Sequence, residues 1–348
     1  MKMNMKQWVA DIIRRQEVTA IPVMTHPGIE LIATPHTQRE NSLTVQQAVS
    51  DGRIHAEAVM ALARKYPTAA ACTIMDLTVE AEAFGAQIAF SPDAVPAVSG
   101  HLLTDAASIQ QLQVPSLAAA RVPQYLKANL LTARALQQAG IQKPLFGGCI
   151  GPFSLAGRLY DMSAIMMLIY EQPDAAHMLL EKCTAFIEKY CLALRETGAD
   201  GVVMAEPAAG LMSNDDCMQF SSQYVKRIVS RVQDDSFIVI LHNCGNTGHC
   251  TKAMVTTGAA AYHFGNKCRM EEVIRDVPPT ALAMGNLDPV SIFKDGTPLM
   301  MRQAATSLLE KMRPYPNFVL SSGCDTPPHT PFENINAFFE ALNDWNRQ

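Results

Sequence analysis

The sequence predicts an α/β fold, a closed (β/α)8 barrel of the TIM type with an N-terminal helix and an insertion after the second strand. Three observations carry this. Short apolar, β-type runs alternate with longer helical runs along the chain, which calls for parallel βα units. Eight such strand runs can be counted. The polar residues with reactive side chains fall just past the carboxyl ends of those runs, where barrels of this kind gather their sites. Residues 1–348 are read as one barrel domain, with 1–18 as the N-terminal helix and 77–143 as an extended insertion or lid. An open doubly wound sheet with an extra subdomain is the competing architecture.

The expected strands, in order, are Thr19–Met24, Ala71–Met75, Pro144–Cys149, Gly201–Ala205, Phe237–His242, Ala259–Phe264, Ala281–Gly285 and Phe318–Ser322. Each is a short, apolar or β-branched run bounded by turn residues or charges. The first residues, MKMNMKQWVADIIRRQE, pattern as an amphipathic helix. The clearest later helix is Asp174–Thr197, which starts behind Pro173 and stops at Gly198. Val122–Ala139, Asn214–Val232, Pro298–Lys311 and Glu333–Trp345 follow the same logic, and Asn214 is expected to cap its helix.

Composition excludes several classes. Hydrophobic residues make up 48% and charged residues 18% of the 348, so the chain can bury a large core. The net charge is −5 with no dense Lys/Arg run, which argues against nucleic acid or an anionic membrane as main partner. No apolar run approaches the ~18 residues of a membrane span, and the first residues do not pattern as a secretion signal. A cytoplasmic location is expected, and the 9 cysteines are then thiols or metal ligands. Homo-oligomerisation is left open.

The sharpest local feature is Leu241-His242-Asn243-Cys244-Gly245. Residues i and i+2 of an extended segment face one side, so His242 and Cys244 can address one metal ion. Cys324 would arrive from the eighth strand. One imidazole nitrogen and two thiolate sulfurs suit zinc, and three protein ligands leave a catalytic fourth position. His249 and Cys250 form a rival, local grouping at a helix start. The plain alternative for His242 and Cys244 is a buried histidine beside a small apolar cysteine.

Other strand-end residues are pocket candidates. Glu206 can be a fourth ligand, an acid or base, a ligand-orienting group or a loop carboxylate. Asp76, His263 and Asn286 also end strands. Glu80 and Glu82 cannot share one helical face, and Glu82 is taken as the pocket residue. Gly147-Gly148-Cys149-Ile150-Gly151-Pro152-Phe153 reads as a Gly-rich turn after the third strand, allowing close backbone approach to a ligand. It lacks the G-K-[ST] ending of a phosphate loop.

The motifs together resemble a family. Glu80–Gly85 (EAEAFG), Gly151–Ala156 (GPFSLA), His242-Asn243-Cys244-Gly245, Gly285-Asn286-Leu287-Asp288-Pro289, Ser322-Gly323-Cys324 and Thr330–Asn334 (TPFEN) resemble the uroporphyrinogen decarboxylase superfamily. Within it they are most similar to the zinc-dependent methylcobamide:thiol methyltransferase branch. The resemblance implies a TIM barrel and an H-x-C-xn-C zinc site matching His242, Cys244 and Cys324. It also implies a methylated corrinoid as methyl donor, carried by a separate protein because no D-x-H-x-x-G segment is found here. A small thiol such as coenzyme M is the implied acceptor. The expected chemistry is attack of a zinc-held thiolate on the methyl group of the corrinoid, leaving Co(I) and a thioether.

Two alternatives stand beside it. A metal-independent decarboxylase of a tetrapyrrole or other polycarboxylate would use Asp76. It would also want arginines after the first strand, where Pro22–Gly28 has none. A zinc- and corrinoid-protein-binding chain without turnover is the third reading.

Overall fold

The computed structural model describes residues 3–15, 17–33 and 43–348. Eight parallel strands curl into one sheet: β1 (Thr19–Ala20), β2 (Ala71–Cys72), β5 (Leu145–Ile150), β6 (Gly201–Ala205), β7 (Ile238–Asn243), β8 (Ala261–Phe264), β9 (Leu282–Leu287) and β10 (Phe318–Ser322). Two more, β3 (Gln87–Ala89) and β4 (Ala97–Ser99), form an antiparallel hairpin in the insertion. The sheet order is β1-β10-β9-β8-β7-β6-β5-β2, the sequential order of a barrel. The N–H of Ala69 donates to the carbonyl of Ala20 across the β1–β2 seam. All eight expected strands are present, and Gly201–Ala205 and Phe318–Ser322 keep their expected limits.

β1 and β2 are shorter than the sequence suggests, because side chains replace ladder carbonyls. The N–H of Val23 donates to Ser322 Oγ, Thr25 N–H to Asp325 Oδ1 and Ile74 N–H to His55 Nε2. Thr73 Oγ1 accepts from Gly148 N–H. The chain stays extended while its partners become side chains, so regular pairing stops early.

Alternate residues of the strands line the barrel. Ile21, Phe146, Val203, Ile240, Ala261, Met284 and Val319 pack together, and the N-terminal helix Met5–Arg14 adds Met5, Val9 and Ile12 to the same cluster. Trp8 meets Phe146 edge to face at 5.8 Å. The amphipathic helix thus plugs one end of the barrel, leaving the carboxyl ends of the strands for chemistry. The other faces of the strands pack on the surrounding helices, of which Pro173–Glu196 is the longest.

Two local expectations are corrected. Ser213, not Asn214, caps the helix after β6, because its hydroxyl accepts from Asp216 N–H, while Asn214 Oδ1 accepts from Ala253 N–H. That helical run continues to Val232 through a wider π turn at Met218–Ser222. Gly147 and Gly148 lie inside β5 and form no ligand-facing turn. A Cβ on Gly147 would stand 2.9 Å from Leu194 Cδ1, and one on Gly148 would stand 3.2 Å from Met75 Sδ. Close packing explains both glycines.

The insertion after β2 holds the helix Val79–Ala83, the hairpin, the helix Ala106–Gln111 and then the crossover helix Val122–Gln138. It is pinned down. Lys182 Nζ donates to the carbonyls of Ile109, Gln110 and Leu112 at 2.6, 2.8 and 2.7 Å. The N–H groups of Leu102 and Leu103 share the carbonyl of Leu159. Among the described residues, no helix is long and apolar enough to cross a membrane.

Candidate metal centre at the barrel mouth

β7 runs inward at Ile238 and Ile240, and the same phase carries His242 and Cys244 into the mouth. Cys324 reaches them from the turn after β10. The donor atoms of His242, Cys244 and Cys324 lie within 4.8 Å of one another, and among the described residues no other group of three such side chains converges in this way. His242 Nε2 stands 3.8 Å from Cys324 Sγ. A tetrahedral zinc site with bonds of about 2.0–2.3 Å has donor–donor edges of about 3.3–3.8 Å. His242 Nδ1 is buried and has no hydrogen-bond partner among the described residues. The donor chemistry, one borderline nitrogen and two soft sulfurs, fits zinc.

The electrostatics favour a thiolate at this spot. A hydrogen bond from the Cys324 thiol lowers the Cys244 thiol to about 7, with a smaller contribution from the Lys267 cation. Cys324 is pushed up in turn by giving that hydrogen bond and by burial. The pair therefore shares one negative charge readily and two only with a cation present.

The backbone makes room for this arrangement. A Cβ on Gly265 would lie 2.7 Å from Cys244 Cα. The loop after β8 thus lies directly against the Cys244 turn. Asn286, inward on β9, donates to the carbonyls of Gly265 and Cys268 at 2.9 and 2.8 Å and holds that loop in place.

His263 is the other strand-end residue brought to the centre. It is register partner to His242, and the two rings lie 4.6 Å apart at 35°. Its Nε2–H donates to the carbonyl of Ser322 at 2.8 Å. Burial, then the neighbouring His242, lowers its pKa to about 3, so it is neutral at physiological pH.

The remaining expected site residues are placed elsewhere. Glu206 follows Val203 and Ala205 on β6, so the strand alternation turns it outward, away from the donor group. Its oxygens accept from Phe153 N–H, Ser154 N–H and Ser221 Oγ–H at 2.8, 2.8 and 2.9 Å. Its carboxylate caps the helix Pro152–Tyr160, a favourable place for negative charge. The close approach requires Gly151, where a Cβ would meet the Glu206 carboxyl carbon at 2.5 Å. Burial raises the Glu206 pKa while those donors oppose the rise.

Asp76 and Glu82 belong to a network around Arg121. Arg121 Nη1 bonds Asp76 Oδ2 and Arg121 Nε bonds Glu82 Oε2, each at 2.5 Å, while Nη2 donates to Thr78 Oγ1 at 2.7 Å. Tyr125 donates its hydroxyl hydrogen to Asp76 Oδ2, and the N–H and hydroxyl of Thr78 donate to Asp76 Oδ1. Glu80, not Glu82, is the deeply buried residue of its helix. One oxygen accepts from Ile150 N–H and the other has no partner among the described residues. Burial, more than any neighbour, raises Glu80 to about 7. His249 and Cys250 turn away from the mouth, both bonding the carbonyl of Met212. Sequence reasoning missed Arg121. The acidic residues Asp76, Glu80 and Glu82 gathered after the second strand were the available signal, and nothing local marked which arginine would pair with them.

The fold and this donor group define a parallel (β/α)8 barrel with a candidate His–Cys–Cys metal centre at its carboxyl-end mouth. The chain belongs to the uroporphyrinogen decarboxylase (URO-D) family, whose model matches residues 5–345. It is 28% identical over 273 residues to the methylcobamide:CoM methyltransferase MtbA of Methanosarcina mazei, covering 78% of each chain. It is 26% identical over 299 residues to uroporphyrinogen decarboxylase of Coxiella burnetii, covering 83% of this chain and 81% of that one. The structure of a methyltransferase from Methanosarcina mazei superposes with a TM-score of 0.85 at 23% identity over 99% of both chains. A B12-independent methionine synthase from Shewanella shares the fold more distantly, with a TM-score of 0.55 at 13% identity over 95% of this chain and 96% of that one.

Proposed function

We propose that the protein transfers a methyl group from a methylated corrinoid to a small thiol, with coenzyme M as the model acceptor. The corrinoid is presented by a separate carrier protein. The observation that carries this reading is the convergence of His242, Cys244 and Cys324 at the barrel mouth. A zinc ion held by these three residues would supply Lewis acidity that lowers the pKa of a thiol at the open fourth position. The chain's own residues do the rest. Cys244 and Cys324 provide the anionic side of the site. Neutral His263 packs against His242 without adding a competing positive charge. The interior beneath the donors, lined by Ile240, Met284 and Val203, is apolar and limits water to the mouth. In the transfer, the acceptor thiol releases its proton to solvent at the mouth, and its sulfur then forms a bond to the methyl carbon as the cobalt–carbon bond breaks. The electron pair stays on cobalt, which passes from Co(III) to Co(I).

One observation weighs against the decarboxylase reading. Both oxygens of Asp76 are taken by Arg121, Tyr125 and Thr78, which leaves no free carboxylate there for a tetrapyrrole. We assign Glu206 a positioning role for the helix Pro152–Tyr160 beside the mouth.

The test is incubation of the zinc-loaded protein with methylcobalamin and 2-mercaptoethanesulfonate, cysteine or 2-mercaptoethanol. Loss of the methylcobalamin absorption with stoichiometric thioether formation is expected. No thioether from any thiol, together with carbon dioxide release from uroporphyrinogen, would reverse the assignment.

A further inference from the structure

The two halves of the candidate metal centre sit on strands that do not touch. His242 and Cys244 come from β7, and Cys324 comes from the turn after β10. Between β7 and β10 lie β8 and β9. Each of these strands could slide or tilt separately and spoil a three-point site, since donor atoms must be held to within about 0.5 Å. His263 spans the gap. Its ring packs on His242 at 4.6 Å, and its Nε2–H crosses over β9 to the Ser322 carbonyl, two residues before Cys324. A carbonyl can only accept, so the hydrogen is fixed on Nε2 and the ring orientation with it. His263 is 1% exposed and cannot swing away.

We propose that His263 is a positioning residue, a strut that sets the distance between the His242/Cys244 arm and the Cys324 arm of the metal site. The proposal rests on the zinc-site reading above. It requires both ring packing and a hydrogen-bond donor, which makes it separable from ordinary core filling. His263→Phe keeps the packing and removes the donor. His263→Gln keeps a donor and loses the ring.

The experiment measures zinc affinity by chelator competition, the absorption spectrum of the cobalt(II)-substituted protein, and the unfolding midpoint of each variant. His263 contacts His242 through its ring and is hydrogen-bonded to the Ser322 carbonyl. Loss of such an outer group that orients metal ligands is expected to weaken affinity by up to ~10–100-fold, the range seen for hydrogen-bonded outer partners. His263→Phe is expected to fold, to bind zinc within that weakened range and to shift the thiolate-to-cobalt bands. His263→Gln is expected to recover part of the affinity. If His263→Phe does not fold, the cobalt spectrum of His263→Gln decides by the same criterion. Affinity within twofold of wild type and an unchanged cobalt spectrum in the folded variants would overturn the strut. A wild type that binds no zinc would overturn the strut and the metal-site reading together. A wild type that binds zinc tightly yet methylates no thiol would reverse the functional assignment and leave the strut to be decided by its own variants.

Discussion

Removing the guanidinium of Arg121 gives a direct test of how the insertion is fastened to the barrel. The Arg121 side chain is 9% exposed, Asp76 is 0% and Glu82 is 21%. Replacing Arg121 by Met keeps the aliphatic stem but strands Asp76 as a buried carboxylate. Tyr125 and Thr78 still donate to it and the Arg158 cation still acts on it from farther off, yet its directly bonded cation is gone. Breaking a buried pair by removing one partner costs about 3–5 kcal/mol, mostly from the uncompensated charge. Partly exposed Glu82 adds less, because water reaches its carboxylate and can replace its partner. Arg121→Met is therefore expected to lose about 3–5 kcal/mol in urea unfolding followed by circular dichroism. Adding Asp76→Asn removes the stranded charge. The double variant is expected to be more stable than the sum of the singles by about 1–3 kcal/mol, a coupling of the size found within one network. A loss below about 1 kcal/mol in Arg121→Met, or strict additivity in the double variant, would refute the reasoning.

Other expectations follow from the same geometry. Gly151→Ala should destabilise the protein strongly, because its new Cβ would overlap the Glu206 carboxyl at 2.5 Å. Pairing it with Glu206→Ala removes the carboxyl but leaves the residue-206 Cβ at 2.9 Å, so only part of the loss should be restored in the same urea assay. No restoration would show that the carboxyl is not the clashing group. His55 accepts the Ile74 N–H on Nε2, and burial lowers its pKa from 6.5 to about 3. The unfolded chain then binds the proton more tightly than the folded one between those values, so stability falls as pH drops below about 6.5. From pH 7 to pH 5 the His55 share of that fall is about 2 kcal/mol. The stability gap between wild type and His55→Gln should shrink by about this amount over that range, and a gap independent of pH would contradict it.

Much of the fold and of the candidate donor group can be read from residue patterns. The eight strands are legible because each is a short apolar run between breakers, and period-two spacing places His242 and Cys244 on one side. The same period, applied to β6, would have turned Glu206 outward. That required knowing that Val203 faces the barrel, which depends on its neighbours across the sheet. The shortened β1 and β2 were not legible, since Ser322, Asp325, His55 and Thr73 act as surrogate ladder partners from distant or side-chain positions. Arg121 was invisible for the same reason. It lies 45 residues from Asp76, and the pairing exists only because the insertion folds back on the strand ends. Local chemistry fixes which side of a strand a residue occupies relative to its neighbours, and tertiary contact decides which side is the inside.

The central claim is that His242, Cys244 and Cys324 together hold one metal ion. Metal content by mass spectrometry on untagged protein, wild type beside Cys324→Ala, tests it most directly. About one zinc per chain in the wild type, lost in the variant while the fold persists, is the predicted result. A folded wild type that stays metal-free after zinc addition, or a Cys324→Ala variant that keeps its zinc, would contradict the account.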